Sequence, residues 1–127
     1  MDCNYHSTKA LLKEYRELEF VACTYTKAGQ TAAIRETGTA YYDSTYDKYI
    51  MFNSIKKGLD TLRRLPSHGE MLYKIIYYNY ISPEIYYKSS EIIAQLKTDR
   101  IYLSERSYYR KKKQAISLLS EIIKSFC

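Results

Sequence analysis

An all-α fold is what this chain predicts, on three observations. Apolar residues recur at helical spacing in several separate stretches, and Ser, Pro and Gly punctuate the intervals between them. No alternating pattern is strong enough to argue for paired strands. With 127 residues, 46% of them apolar, the chain can build a genuine core and fits one compact domain, or a small domain with an N-terminal extension. Tyr supplies 16 residues and Trp none, so much of that core should consist of rings that pack by their faces and keep a hydroxyl for a polar partner.

Residues 8–22 place Leu11, Leu12, Tyr15, Leu18, Val21 and Ala22 at helical spacing, with Lys13, Glu14, Arg16 and Glu17 outward. This predicts a first amphipathic helix, capped by Ser7 or Thr8. Over residues 25–44 the period disappears and Thr, Ala, Gly and Gln dominate, which reads as an irregular arm too long for an ordinary loop. The expected division is therefore an N-terminal helix and arm over 1–44 and a helical domain over 45–127. A first helix held apart in this way would expose Leu11, Leu18 and Val21 unless a partner covered them.

A second helix is predicted over 45–65, with Tyr46, Tyr49, Ile50, Phe52, Ile55, Leu59 and Leu62 on a wide apolar face and Pro66 as its stop. Ser67-His68-Gly69-Glu70 then has the Ser-x-x-Glu spacing of a capping box and predicts a third helix to about residue 80. Ser82-Pro83-Glu84 offers a cap, a proline tolerated at the first helical position and an acid in the first turn, predicting a fourth helix that runs to Leu96. Residues 97–103 form the next connection, in which 100–103 suit a short extended piece. Ser104 is a good N-cap and Glu105 complements the positive helix end, so a final helix begins near Glu105. Tyr108, Ala115, Leu119, Ile122 and Phe126 give it an apolar stripe, which suits a domain core or, alternatively, a dimer formed through the tail.

The charge of +6 arises from 20 Lys and Arg against 14 Asp and Glu and favours polyanionic partners. Its distribution is more telling: five of the cations, Arg106, Arg110, Lys111, Lys112 and Lys113, crowd the start of the last helix, and no further acid follows Glu105 until Glu121. Such a run is either a solvated face or a nucleic-acid contact. Other function classes lack support. No apolar run approaches the roughly 20 residues that span a bilayer, so no membrane is expected. Three scattered cysteines and no early apolar signal segment suit a reducing cytoplasm. Cys3-x-x-His6 has ligand-like spacing, but Cys23 and Cys127 complete no zinc pattern, so neither metal nor cofactor is expected. His68 belongs to a helix start, and with no Ser-His-Asp order, phosphate loop or His-Glu-x-x-His element the chain is not expected to be an enzyme.

Several segments together resemble a family. Leu65-Pro66, Leu72, Tyr77-Tyr78 and Tyr80-Ile81, then Ile92-Ile93-Ala94-Gln95-Leu96, then Ser104 with Tyr108-Tyr109-Arg110-Lys111-Lys112-Lys113-Gln114-Ala115, look like the ArpU-type phage late-gene transcriptional regulators. That family is similar in turn to the helix-turn-helix C-terminal domain of bacterial sigma factors. The likeness covers roughly the C-terminal half, and more loosely the N-terminal helix, arm and second helix. One connection is longer than in that pattern: Leu96 and Ser104 are eight positions apart and no Gly lies between them, where a turn of about three residues is usual.

The resemblance implies a helix-turn-helix bundle that binds double-stranded DNA as a transcriptional regulator of phage or prophage origin, in the cytoplasm of a bacterial host. Its reading helix would be the one after Ser104. On that geometry Arg106, Tyr109, Arg110 and Lys113 face the major groove, and Arg106 and Arg110 suit the O6 and N7 edge of guanine. Lys111, Lys112 and Lys113 suit phosphates, Ser104 with neighbouring N–H groups could clamp one phosphate, and Ser107 and Tyr109 serve either role. The alternatives are a sigma-like or small-terminase-like use of the motif, with RNA polymerase as a partner in the first case, and a phage-encoded protein-interaction module that inhibits a host or defence protein. RNA binding through the tyrosines is weaker, because such modules usually present aromatics on sheets or loops.

Overall fold

The computed structural model describes residues 5–24 and 44–126. These residues form six α-helices: α1 Tyr5–Lys13, α2 Tyr15–Thr24, α3 Ser44–Arg63, α4 Gly69–Ile76, α5 Ser89–Thr98 and α6 Glu105–Lys124. A π-helical turn, Tyr77–Ile81, continues α4. The protein is all-α, the described residues contain no strand, and 101–104 join α5 to α6 without regular structure. Of the arm expected over 25–44, Ser44 instead opens α3, and 25–43 lie outside the described residues, as do Cys3 and Cys127.

The N-terminal stretch is two helices rather than one. The break falls at Glu14, whose N–H bonds the Leu11 carbonyl at 3.1 Å and whose own carbonyl takes the Leu18 N–H at 2.9 Å. Thr8 is no cap: it lies inside α1, only 2% exposed, and its Oγ1 is 2.8 Å from Ser120 Oγ on α6. Leu12, Tyr15, Leu18 and Ala22 are buried in one core with Phe52, Ile55, Leu59 and Leu62 of α3, Leu72 and Ile76 of α4, and Ala115, Ile116, Leu119 and Ile123 of α6. Leu18 thus finds its cover within the chain. Arg16 adds a polar tie, donating from Nε and Nη2 to the Ser82 carbonyl at 3.2 and 2.7 Å.

Two glycines allow close approach. A Cβ on Gly58 would sit 2.9 Å from both Leu119 Cδ1 and Ile123 Cγ1, so its absence lets α3 lie directly against α6. At Gly69 a Cβ would meet the Leu62 carbonyl oxygen at 2.6 Å, which is how α4 starts so tightly against the end of α3. Ile50, expected on the apolar face of α3, is 43% exposed.

Two helix starts differ from expectation. The capping box at Ser67 does not form: His68 occupies the N-cap position at φ 65°, in the left-handed region, with no side-chain cap. That shift moves Glu70 out of the third helical position, and its carboxylate instead takes Arg63 Nε and Nη2 at 2.9 and 3.2 Å. Ser82-Pro83 likewise starts no helix. Ser82 closes the π turn, with its N–H on the Tyr77 carbonyl at 2.8 Å and its Oγ accepting from the Glu84 N–H at 3.2 Å. With the backbone committed to that turn, residues 82–88 are irregular and α5 begins only at Ser89.

The buried Thr8 and Ser120 hydroxyls satisfy each other, so losing one strands its partner. Thr8→Val should cost about 1–3 kcal/mol in urea unfolding, while adding Ser120→Ala should recover most of that loss. Additive losses in the double variant would contradict a coupled pair.

Candidate nucleic-acid interface

The interface candidate is built on the start of α6. Ser104 caps it as the sequence predicts, its Oγ accepting the Ser107 N–H at 3.1 Å and its carbonyl the Tyr108 N–H at 2.8 Å. Behind this turn lies a second, smaller core of Ile75, Ile92, Leu96 and Tyr108, flanked by Met71, Tyr78, Tyr86, Ile93, Ile101 and Leu103. Tyr108 is 1% exposed, so its phenol needs an internal partner. Asn79, set in the π turn, supplies it: the amide nitrogen lies 2.9 Å and the amide oxygen 3.2 Å from the phenol oxygen, while the same nitrogen donates to the Ile75 carbonyl at 2.7 Å. Burial pushes the Tyr108 phenol above its ordinary range, against the opposing effect of the Asn79 bond.

The long connection between α5 and α6 is held at both ends. The Ile101 N–H bonds the Leu96 carbonyl at 3.0 Å and the Arg100 N–H bonds the Lys97 carbonyl at 3.0 Å, the paired bonds of a Schellman cap. Arg100 stands where glycine usually does, at φ 64°. The Asp99 carboxylate accepts from the Tyr78 hydroxyl and lies 3.8 Å from Lys74 Nζ, fastening the same turn to α4 and its π extension. Tyr109 closes the other side by donating to Ser89 Oγ at 2.8 Å, across to the first residue of α5.

The eight residues singled out in the sequence do not share one face. At about 100° per residue, Arg106, Arg110 and Lys113 fall within about 60° of one another. All three are exposed, and among the described residues none forms an ion pair or side-chain hydrogen bond. Ser104 is exposed at the tip, Ser107 is half-buried, and Tyr109 is half-exposed with its hydroxyl engaged. Lys111 leans to one flank, its Nζ 3.4 Å from Gln114 Oε1. Lys112 turns to the opposite flank, half-buried, with its ammonium 5.8 Å from the centre of the Tyr80 ring. Burial first, then Lys9 and Lys13 of α1, hold its pKa below the ordinary lysine value. Glu105 is exposed beside the cap; it favours the helix but opposes a phosphate at the tip, leaving anion contact chiefly to the side-chain cations.

The sequence alone did not bring Lys9 and Lys13 to this helix, since nothing local shows which face α1 presents to α6. The divergence of Lys112 was legible, because 108, 112, 115 and 119 follow one helical stripe. Exposed rings also stand on the connections that flank α5, with Tyr87 85% and Tyr102 70% accessible. Among the described residues no cluster of His, Cys, Asp and Glu is arranged to hold a metal ion, and no helix is long and apolar enough to cross a membrane. No family model, curated protein or solved structure matches this chain.

Left-handed backbone is strained for any residue with a Cβ by about 1–2 kcal/mol. Arg100→Gly should therefore raise unfolding stability by roughly 0.5–1 kcal/mol, once glycine's greater unfolded-state freedom is subtracted. A lower urea midpoint would contradict the strain.

Burial is the first cause that lifts the Tyr15, Tyr78 and Tyr80 phenols to about 12, from an ordinary value of 10.0. Below pH 10 both folded and unfolded chains hold these protons, and the contribution to stability is whole. Between pH 10 and 12 the unfolded chain releases protons that the folded chain retains, so stability should fall across that window. Tyrosinate absorbance in the native protein should lag behind that in denaturant; coincident titrations would refute the burial effect.

Proposed function

We propose that this protein is a sequence-specific DNA-binding transcriptional regulator that reads a major groove with the first turns of α6. The observation that carries the reading is the exposed face of Arg106, Arg110 and Lys113, unpaired among the described residues and backed by the fixed Tyr108. A face without counter-charges keeps its cations available to phosphates and base edges, and a helix pinned from behind loses little freedom when it docks. The capped turn between α5 and α6 supports a helix-turn-helix use of this pair, and the ArpU-type resemblance implies the same use in a phage or prophage regulator acting in a bacterial cytoplasm. The chemistry is binding alone, with double-stranded DNA as the partner.

A second reading, a module that docks on another protein, is favoured by the exposed Ile85, Tyr87 and Tyr102 on the connections that flank α5. It predicts no salt-dependent duplex binding. A sigma-like use would add RNA polymerase as a partner, which co-purification with the purified enzyme would separate from duplex binding alone.

Selection of bound duplexes from a random pool, followed by a salt titration, tests the leading reading. Arg106→Ala or Arg110→Ala should cost about 1–3 kcal/mol on the selected duplex and relax preference at one base position. Unchanged affinity and preference in both variants would remove α6 from the reading.

A further inference from the structure

We propose that Lys9 and Lys13 of α1, together with Lys112 of α6, form a second phosphate-binding position, one that grips the sugar-phosphate backbone of a duplex beside the α6 contact face. The proposal rests on the DNA-binding reading above and extends it to a helix outside the helix-turn-helix pair. α1 carries two lysines and no acid over its whole length, and the Thr8–Ser120 bond fixes it against α6. Across this packing of α1 on α6, Lys9 and Lys13 are the charged groups that act on Lys112, although about a hundred positions separate them in sequence.

The arrangement is electrostatically unfavourable when empty. Lys112 is half-buried, with the Tyr80 ring 5.8 Å from its ammonium, and its charged neighbours Lys9 and Lys13 carry the same sign. Among the described residues none of the three lysines is in an ion pair, whereas Arg63, Arg64 and Lys74 are, with Glu70, Asp60 and Asp99. Cations on two packed helices, none of them in an ion pair, complement a phosphate, which would lie between α1 and α6 and relieve their repulsion. A duplex fits best, because the same flank of α6 that carries Lys112 adjoins the tip bearing Arg106 and Arg110, so a backbone leaving the tip can continue past α1. Such a contact carries no base preference; it adds affinity and fixes orientation.

The test compares duplex binding across a range of salt for the full chain, for Lys9→Gln/Lys13→Gln and for Arg106→Ala/Arg110→Ala. Two lost phosphate contacts should flatten the slope of log K against log salt by about 1.8, at about 0.9 per contact, and weaken all duplex sequences alike. If the arginine variant loses sequence preference while the lysine variant keeps the full slope, the second position is overturned and the α6 reading stands. A flattened slope in the lysine variant with no effect in the arginine variant keeps the second position and overturns the α6 reading. No duplex binding by the full chain at any salt overturns both. Lys112→Met supplies an independent measurement: removing an uncompensated charge should raise Tm while flattening the salt slope, and a lowered Tm would overturn the claim that the cluster is strained when empty.

Discussion

The hydrogen bond between the Tyr108 phenol and the Asn79 amide sets the direction of α6, and with it the placement of every cation at its tip. Tyr108 fills a small core that α4, α5 and α6 share, where an unpartnered hydroxyl would cost about 1–3 kcal/mol. Asn79 reaches it from a π turn, a local widening of the helix that ends against Ser82. Farther along, Ala115, Ile116, Leu119 and Ile123 anchor α6 in the larger core. One helix is thus clamped at two levels, and its exposed first turns are rigid because of what lies behind them.

Electrostatics follow from where the acids are used. Among the described residues each ion pair joins α3, α4 or the residues just past α3 and α5: Arg63 with Glu70, Arg64 with Asp60, Lys74 with Asp99. Asp99 also receives the Tyr78 hydroxyl, so it serves a turn as well as the Lys74 cation. Among the described helices the largest positive surplus is left on α6, where six cations face only Glu105 and Glu121. A surface of this kind is tolerated without a ligand because water screens exposed charges, and at the half-buried Lys112 that screening is curtailed.

Local chemistry was readable from the sequence, and long-range chemistry was not. The Ser104 cap, the start of α6 and the all-α class follow from spacing and composition within a few residues, and the structure has all of them. At Ser67 and Ser82 each serine had the right neighbours for a cap, but other contacts engaged part of the cap, and at Ser82 the backbone also closes the π turn. Glu70 went to Arg63, and the Ser82 carbonyl went to Arg16 on a helix 66 positions away. Arg100 and His68 in left-handed conformation were hidden for a related reason, since glycine is the usual signal and neither turn uses one. At the interface, the shared face of Arg106, Arg110 and Lys113 was legible from helical periodicity. The approach of Lys9 and Lys13 was not, because it depends on α1 folding back over α6.

The passage of α6 through both cores also bears on modularity. The smaller cluster has four buried side chains, too few to hold a fold by themselves, and it persists because the same 20-residue helix is seated in the larger one. Grafting the tip onto another scaffold would therefore require the whole helix and the surface that receives it. Variation in this protein should accordingly proceed by exchange of single exposed side chains on the tip, with the rod beneath inherited as one piece.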